Sequence, residues 1–543
     1  MTRTPDSDHE ALQAVYEAAR SGNHAQAGQL AASALARGLE HPLVLNVAAL
    51  RLEQQGRPHE ALRLLQRAVQ VAPDDTASRN ALGLCLLQLE RADEAVEQFE
   101  MLLRLNPSLP YAHTSRGNAL LARGSISEAE ESYRRALALD DRQGMAFAGL
   151  AHIAADRGAY HQARDLAEKA LALLPGLPDA IMTRAAAELG ERLPARAESR
   201  MRALLDGGAL SGEQRAMAMG LLGDILDALG RPDEAIEAYT ACNEELRNKY
   251  AGVFGGSGSA LEYVRGLTRY FERADPDVWG PPAPAGANSA DVKGHVFLIG
   301  FPRSGTTLLE VILEGHPNVV SLEERELLID SVRQFMQQPP DLERLWRATP
   351  AALEAARSAY WRRVAAEGCE VAGAIFVDKH PLNTLKLPLI ARLFPNAKVL
   401  FACRDPRDIV LSCFRHRFRM SAPIFELLSI ESSARYYDAV MRLLVRMMSL
   451  FTLDTCLVRH EDVVTEFARE MKRVCTFLGL EWAPAMGDFG LRARDRGVLT
   501  PSTAQLVRGL STEGVGQWQR YRSHLAPVQA LLEQWVQRFY YTP

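Results

Sequence analysis

The sequence lacks the features that would place it in a membrane, a disulfide scaffold or a nucleic-acid complex. No apolar run approaches the ~20 residues that a membrane helix needs. The opening MTRTPDSDHEALQ has no apolar core of a secretory signal. Both readings predict a cytoplasmic protein with no membrane partner. Cysteine is scarce: Cys85, Cys242, Cys369, Cys403, Cys413, Cys456 and Cys475 are odd in number, scattered, and never in a CxxC pair. That excludes a disulfide framework and a cysteine-rich zinc site, and leaves each thiol as a small buried hydrophobe. There is no excess of positive charge, since 62 Lys and Arg face 67 Asp and Glu for a net −5. A general nucleic-acid binder would be basic over a whole face, so no nucleic-acid partner is expected. With 38 glycines and 28 prolines among 543 residues, disorder and collagen-like repeats are also excluded.

What the first half does have is a period. Alanine recurs at Ala27, Ala61, Ala95, Ala129, Ala163 and Ala197, always 34 residues apart. Pro73, Pro107 and Pro175 close units, with Asp141 at the missing beat. Gly22, Gly56, Gly124 and Gly158 keep the same time with Glu90 between them, and so do Gly83 and Gly117. A 34-residue unit with small residues inside, glycine at a turn and proline at the end resembles the tetratricopeptide repeat, a helical hairpin. The array is expected over residues 8–250. Ala235 lies 38 residues after Ala197, so an insertion near Asp206–Gly212 breaks the register before a last unit in Gly220–Cys242.

After Tyr250 the texture changes. Residues 251–294 are rich in Gly, Pro and small residues and read as a connector with one helix, Leu261–Arg273. From His295 short apolar runs (His295–Phe301, Gly373–Lys379, Lys398–Cys403, Asp454–His460) alternate with amphipathic stretches (Thr306–Glu314, Asn383–Leu393, Pro406–Arg417, Val463–Leu478). Buried strands alternating with helices predict a parallel sheet covered on both faces. The fold expected is an N-terminal α-solenoid of helical hairpins followed, over 295–543, by a P-loop-type α/β domain.

The strongest chemical signal is VFLIGFPRSGTTLLEVILEGHP, residues 296–317. A strand runs into a tight loop and then a helix N-terminus, which presents N–H groups and a dipole to an anion. Against the Walker A pattern, Gly300, Gly305 and Thr307 are correctly placed, but Thr306 stands where the lysine belongs and Arg303 lies inside the loop. Without that lysine, ATP hydrolysis is disfavoured while a nucleotide 5′-phosphate still fits.

PRSGTT after a strand resembles the 5′-phosphosulfate loop of sulfotransferases that use 3′-phosphoadenosine 5′-phosphosulfate (PAPS). The resemblance implies donor contacts from Pro302, Arg303, Ser304, Gly305, Thr306 and Thr307. Such enzymes hold the 3′-phosphate with an arginine at a strand end and a serine eight residues on, which FACRDPRDIVLSCF supplies as Arg404 and Ser412. Over roughly His295–Trp518 the resemblance is to tyrosylprotein sulfotransferases in particular. It makes Glu324 the catalytic base, Lys379 the active-site lysine, and Ser502 a contact to the sulfate end of the donor. His460 replaces a tyrosine expected near the adenine and reads equally as a structural histidine. Gln517 stands where that family has lysine, and His416 replaces an arginine for which Arg415 or Arg417 could substitute. Read alone, Arg404 is as well an ion-pair partner of Asp405 or Asp408, Glu324 a solvated acid beside Glu323 and Glu326, and Lys379 a surface lysine. His316 and His380 are the next candidate bases.

The whole resembles bacterial fusions of tetratricopeptide repeats with a sulfotransferase. It implies sulfuryl transfer from PAPS, without a metal, to an acceptor hydroxyl. The acceptor implied is a peptide or protein recruited by the repeats, a tyrosine among the options, with a small phenol or carbohydrate as the other. A P-loop kinase or NTPase, and a non-catalytic scaffold with a degenerate nucleotide-binding domain, are the competing readings.

Overall fold

The structure is a computed structural model that describes residues 5–208, 210–256, 258–275, 279, 291–490 and 509–541. Two compact units divide the chain between Arg192 and Leu193. The first is helical. Its hairpins pair Pro5–Arg20 with His24–Ala36, Pro42–Gln54 with Pro58–Val71, Thr76–Gln88 with Ala92–Leu105, Pro110–Arg123 with Ile126–Leu139, and Gly144–Asp156 with Tyr160–Leu173, before a last helix Pro178–Gly190.

The 34-residue beat has a steric cause at each of its positions. Each recurring alanine is the fourth residue of the second helix of a hairpin, and Ala27, Ala61, Ala95, Ala129 and Ala163 are at most 1% exposed. The turn glycines Gly22, Gly56, Gly124 and Gly158 are all left-handed, and Glu90 is forced into the same conformation at φ +59°. Gly83 and Gly117 serve differently. A Cβ there would stand 2.6 Å from the Phe99 ring and 2.5 Å from the Tyr133 ring, so the aromatic of the second helix lies directly on the backbone of the first.

The second unit opens with helices of the same type: Pro194–Asp206, then Gly212–Ala228 and Pro232–Phe254. Ala197 and Ala235 are fully buried and Gly230 is left-handed, so the pattern continues out of phase. The register slip is absorbed mostly as helix rather than loop: Gly212–Ala228 has 17 residues against 13 in Pro178–Gly190, and a Ser211–Gln214 capping box starts it. Helix Ala260–Arg273 matches the helix expected in the connector.

The sheet has five parallel strands, β1 (Gly294–Ile299), β2 (Val319–Leu322), β3 (Ile375–Lys379), β4 (Lys398–Cys403) and β5 (Asp454–Arg459), in the order β2-β3-β1-β4-β5. Strand β2 was not anticipated, because four residues are too short a run to show periodicity. β1 is central, with Leu298 opposite Lys379 and Ile299 opposite Phe401. One face carries Val296, Leu298, Ile375, Val377, Leu400, Ala402, Cys456 and Val458 against helices Thr306–Leu313 and Phe467–Leu478. On the other, Phe297 packs on Tyr360, Phe376 on Trp361 and Phe401 on Phe539. The sheet is therefore buried on both sides, as its unbroken apolar strands require. Among the described residues no helix is long and apolar enough to cross a membrane.

Glu90→Gly is expected to stabilise the first unit by up to about 1 kcal/mol, since glycine carries no left-handed penalty. Gly83→Ala is expected to destabilise it by about 1–3 kcal/mol through overpacking against Phe99. Urea unfolding of the two variants checks the opposite signs.

Candidate active site

The loop after β1 is shaped by two glycines with no room for a side chain. A Cβ on Gly300 would lie 2.4 Å from Ser304 Oγ and 2.8 Å from the Ala402 carbonyl. A Cβ on Gly305, which is left-handed at φ +97°, would lie 2.8 Å from His460 Nδ1. Arg303 is itself left-handed at φ +69°, a strained state for a residue with a side chain. Thr384 anchors the loop from below: its hydroxyl donates to the Gly300 carbonyl at 2.6 Å. The helix Thr306–Leu313 starts at Gly305 with no side chain capping it, and Thr306 and Thr307 are buried in its first turn. Uncapped helix N-termini are ready-made anion sites.

A second observation points the same way. Three buried polar atoms here have no hydrogen-bond partner: Ser304 Oγ, Arg404 Nε and His460 Nδ1. Buried polar groups are almost always satisfied, and a polar ligand at this loop would supply partners for these three. An anionic nucleotide fits this donor-rich cradle.

Arg404 follows β4, and the helix Pro406–Arg415 behind it is N-capped by Asp405. Arg303 Nε donates to Ser412 Oγ at 3.0 Å, and Arg404 Nη1 donates to the Arg303 carbonyl at 3.2 Å. The loop and the Arg404/Ser412 pair thus adjoin. Arg303, expected among the contacts of the 5′-phosphosulfate loop, projects to Ser412. The ion-pair reading of Arg404 fails, because Asp405 pairs with Arg407 at 2.7 Å and Asp408 accepts from the N–H groups of Gly516 and Trp518 at 2.7 and 2.9 Å. The other Nη of Arg404 donates to the Gly514 carbonyl. Burial, then the neighbouring Arg404, pushes the Arg303 guanidinium down to about 10. Burial, then Arg404 and Arg303, holds the His460 imidazole down to about 3, so it is neutral. His460 follows β5 and lies against Gly305.

Alternation along β3 sends Asp378 and Lys379 to opposite faces. Asp378 accepts from Tyr360 Oη at 2.9 Å and Asn383 Nδ2 at 3.0 Å. Lys379 is fully buried rather than on the surface, with its Nζ 3.2 Å from Glu324 Oε1 and 3.1 Å from Glu310 Oε2. Glu324, two residues after β2, is half exposed, so the buried lysine lies between a sealed carboxyl and one that meets solvent. Burial works against the ammonium, but Glu310 and Glu324 outweigh it and raise the lysine above its ordinary value.

Glu310 is the residue of this cluster that sequence reasoning missed. It is a fully buried carboxyl on helix Thr306–Leu313, and its other oxygen lies 3.0 Å from Ser321 Oγ, whose one proton is shared with Glu314 Oε1 at 2.5 Å. The signal was present as one acid in an otherwise apolar run, TTLLEVIL. Burial raises its carboxyl to about 7, with Lys379 opposing.

The remaining candidates fall elsewhere. Ser502 lies outside the described residues. His316 is committed to structure, with Nε2 against the Glu481 carbonyl at 3.1 Å and Nδ1 accepting from Asn318 N. His380 pairs with Glu326 at 3.1 Å. Arg415 and Arg417, the offered substitutes for the arginine that His416 replaces, are turned to Asp227 and Asp224. Gln517 accepts from Arg415 at 3.1 Å.

Residues 295–484 match the family model described as the sulfotransferase family, and residues 46–110, 114–178 and 182–242 match a tetratricopeptide repeat. The chain therefore joins tetratricopeptide repeats to a domain of the sulfotransferase family. Its relatives include an uncharacterized protein of Aquifex aeolicus (strain VF5), 25% identical over 61% of this chain and 43% of that one. Protein-tyrosine sulfotransferase 2 of Gallus gallus is 27% identical over 44% of this chain and 68% of its own length. Protein-tyrosine sulfotransferase 1 of Mus musculus is 35% identical over 22% of this chain and 33% of its own length. Among solved structures, the sulfotransferase domain from the Synechococcus PCC 7002 olefin synthase aligns over 48% of this chain and 99% of its own, at 21% identity and a TM-score of 0.34. The chain thus spans from a third to two thirds of the length of these curated relatives.

Because the folded Glu310 keeps its proton above the ordinary 4.5, its contribution to stability is fully present below that pH and is lost as pH rises through about 7. Glu310→Gln should flatten this decline, as read by urea midpoints measured from pH 4.5 to 7.5.

Proposed function

We propose that the protein is a cytoplasmic PAPS-dependent sulfotransferase that acts on an acceptor hydroxyl of a peptide or protein, with tyrosine the first acceptor to test. One observation carries the reading: each of the five strands delivers a candidate residue to the same edge. The loop Pro302–Thr307 follows β1, Glu324 follows β2, Lys379 ends β3, Arg404 follows β4 and His460 follows β5. This is the edge where open parallel sheets bind ligands. The relatives named as protein-tyrosine sulfotransferases support the acceptor class. The repeats support recruitment of a polypeptide, since repeat arrays offer extended binding surfaces. All seven cysteines stand as free thiols, which fits a reducing compartment.

In this reading the N–H groups of the loop, with Thr306, Thr307 and Ser304, bind the 5′ end of the donor. Arg404 and Ser412 bind its 3′-phosphate, with Arg303 between the two groups. His460, neutral and held against Gly305, offers a flat surface and an open nitrogen to the donor. PAPS supplies the activated sulfuryl group. Glu324 takes the acceptor hydroxyl proton as general base. Lys379, kept charged by Glu310 and Glu324, stabilises the negative charge that develops on the transferring and leaving oxygens. Ser502 is assigned to orient the sulfate.

The test is transfer of labelled sulfate from PAPS to a panel of tyrosine peptides, phenols and glycans, alongside thermal shift with 3′,5′-ADP and with ATP–Mg²⁺. Stabilisation by 3′,5′-ADP is expected, and preferential stabilisation by ATP–Mg²⁺ would instead establish a kinase or NTPase. Glu324→Ala should lower kcat by about 10²–10⁴-fold while 3′,5′-ADP still binds. An unchanged kcat removes Glu324 from the role.

A further inference from the structure

The helix that carries Ser412 ends against the last repeat hairpin. Its penultimate carbonyl, that of Phe414, belongs to the set that an α-helix leaves unsatisfied at its C-terminus. Asn243 of helix Pro232–Phe254 supplies the missing donor, with Nδ2 2.9 Å from that oxygen. The next two arginines along the chain are answered from helix Gly212–Ala228. Arg415 Nη2 lies 2.6 Å from Asp227 Oδ2, and Arg417 Nη2 lies 2.5 Å from Asp224 Oδ2. The Arg417 stem runs so close to Gly220 that a Cβ there would stand 2.5 Å from its Cδ.

Both aspartates do more than pair. Asp224 also accepts from Tyr239 Oη at 2.9 Å, and Tyr239 meets the Phe414 ring edge-on at 6.2 Å. Asp227 also accepts from Tyr521 Oη at 2.6 Å. Arg415 extends the network by donating to Gln517, within the segment whose Gly514 carbonyl receives Arg404 and whose Gly516 and Trp518 N–H groups bond Asp408. The chain of bonds from Asp227 therefore reaches Arg404 through the 514–518 segment. It reaches Ser412 through the end of its own helix.

We propose that the hairpin Gly212–Phe254 is a positioning element of the donor site, with Asp224 and Asp227 as its positioning residues; the inference rests on the donor reading above. The aspartates touch neither the loop nor Arg404. They hold the end of helix Pro406–Arg415 and the 514–518 segment, and so set where Ser412 and Arg404 meet a 3′-phosphate. The change of sequence texture after Tyr250 is then not the functional boundary: the last repeat works for the sheet domain.

Calorimetry on the full chain, titrated with 3′,5′-ADP and with 5′-AMP, tests this. The wild type should prefer 3′,5′-ADP. Asp227→Asn and Asp224→Asn should weaken 3′,5′-ADP by about 3- to 30-fold and leave 5′-AMP unchanged, a split that general loosening would not produce. Asp227→Glu, which keeps the carboxylate, should recover most of the preference. Should the asparagine variants fail to fold, Asn243→Ala carries the test by removing only the cap on Phe414. Folded variants with the wild-type ratio of affinities overturn the proposal while the donor reading stands. A wild type without the preference overturns the donor reading, and this inference with it.

Discussion

All strands of the sheet run the same way, and the site depends on that constraint. Parallel strands open every carboxyl end onto one edge, so residues far apart in sequence meet there without any being near the others in the chain. Leu298 opposite Lys379 and Ile299 opposite Phe401 fix the register at which the loop after β1 stands between the end of β3 and the start of Arg404. A slip of one residue in β3 would exchange Asp378 and Lys379 between faces. The lysine would then lose Glu310 and Glu324, and Tyr360 would lose its acceptor.

Charge is disposed around this edge with a clear division of labour. Lys379 is answered twice, by a buried and by a half-exposed carboxylate. Arg407 is answered by Asp405 and lies over the Trp518 ring at 3.8 Å. Arg415 and Arg417 are answered by Asp227 and Asp224. Arg404, by contrast, hydrogen-bonds among the described residues to carbonyl oxygens, those of Arg303 and Gly514, while its charge also favours the nearby Asp408 carboxylate. A buried cation held by dipoles keeps most of its field for a ligand, whereas one bonded to a carboxylate does not. The unsatisfied Ser304 Oγ and His460 Nδ1 lie in the same cradle.

Much of this was legible in the sequence because the physical demands were local. A 34-residue helical beat follows from alanines that must be small and from glycines that must be left-handed. The tight loop after β1 follows from Gly300 and Gly305, each crowded by a neighbour. What was not legible depended on tertiary contact. Strand β2 is too short to show a pattern, and Glu310 is one acid in an apolar helix whose partner is 69 residues away in the chain. Arg415 and Arg417 read naturally as donor contacts, because nothing local announces that aspartates nearly 200 residues earlier hold them. The extra turn of Gly212–Ala228 was visible only as a broken register.

Glu310 makes chemical sense of the lysine beside it. A lysine buried with one carboxylate that also serves as general base would meet a conflict: each time Glu324 took a proton, the ammonium would stand unpaired in a low-dielectric site. A buried charge that loses its only partner is strongly destabilised, and the lysine would tend to give up its proton when its charge is needed. Glu310, sealed from solvent and raised to about 7 by burial, keeps a second carboxyl oxygen within 3.1 Å of Nζ and supplies a second negative charge as pH rises through that value. In the proposed mechanism the ammonium then keeps a partner through the proton transfer, and Glu324 would change its charge at the solvent side.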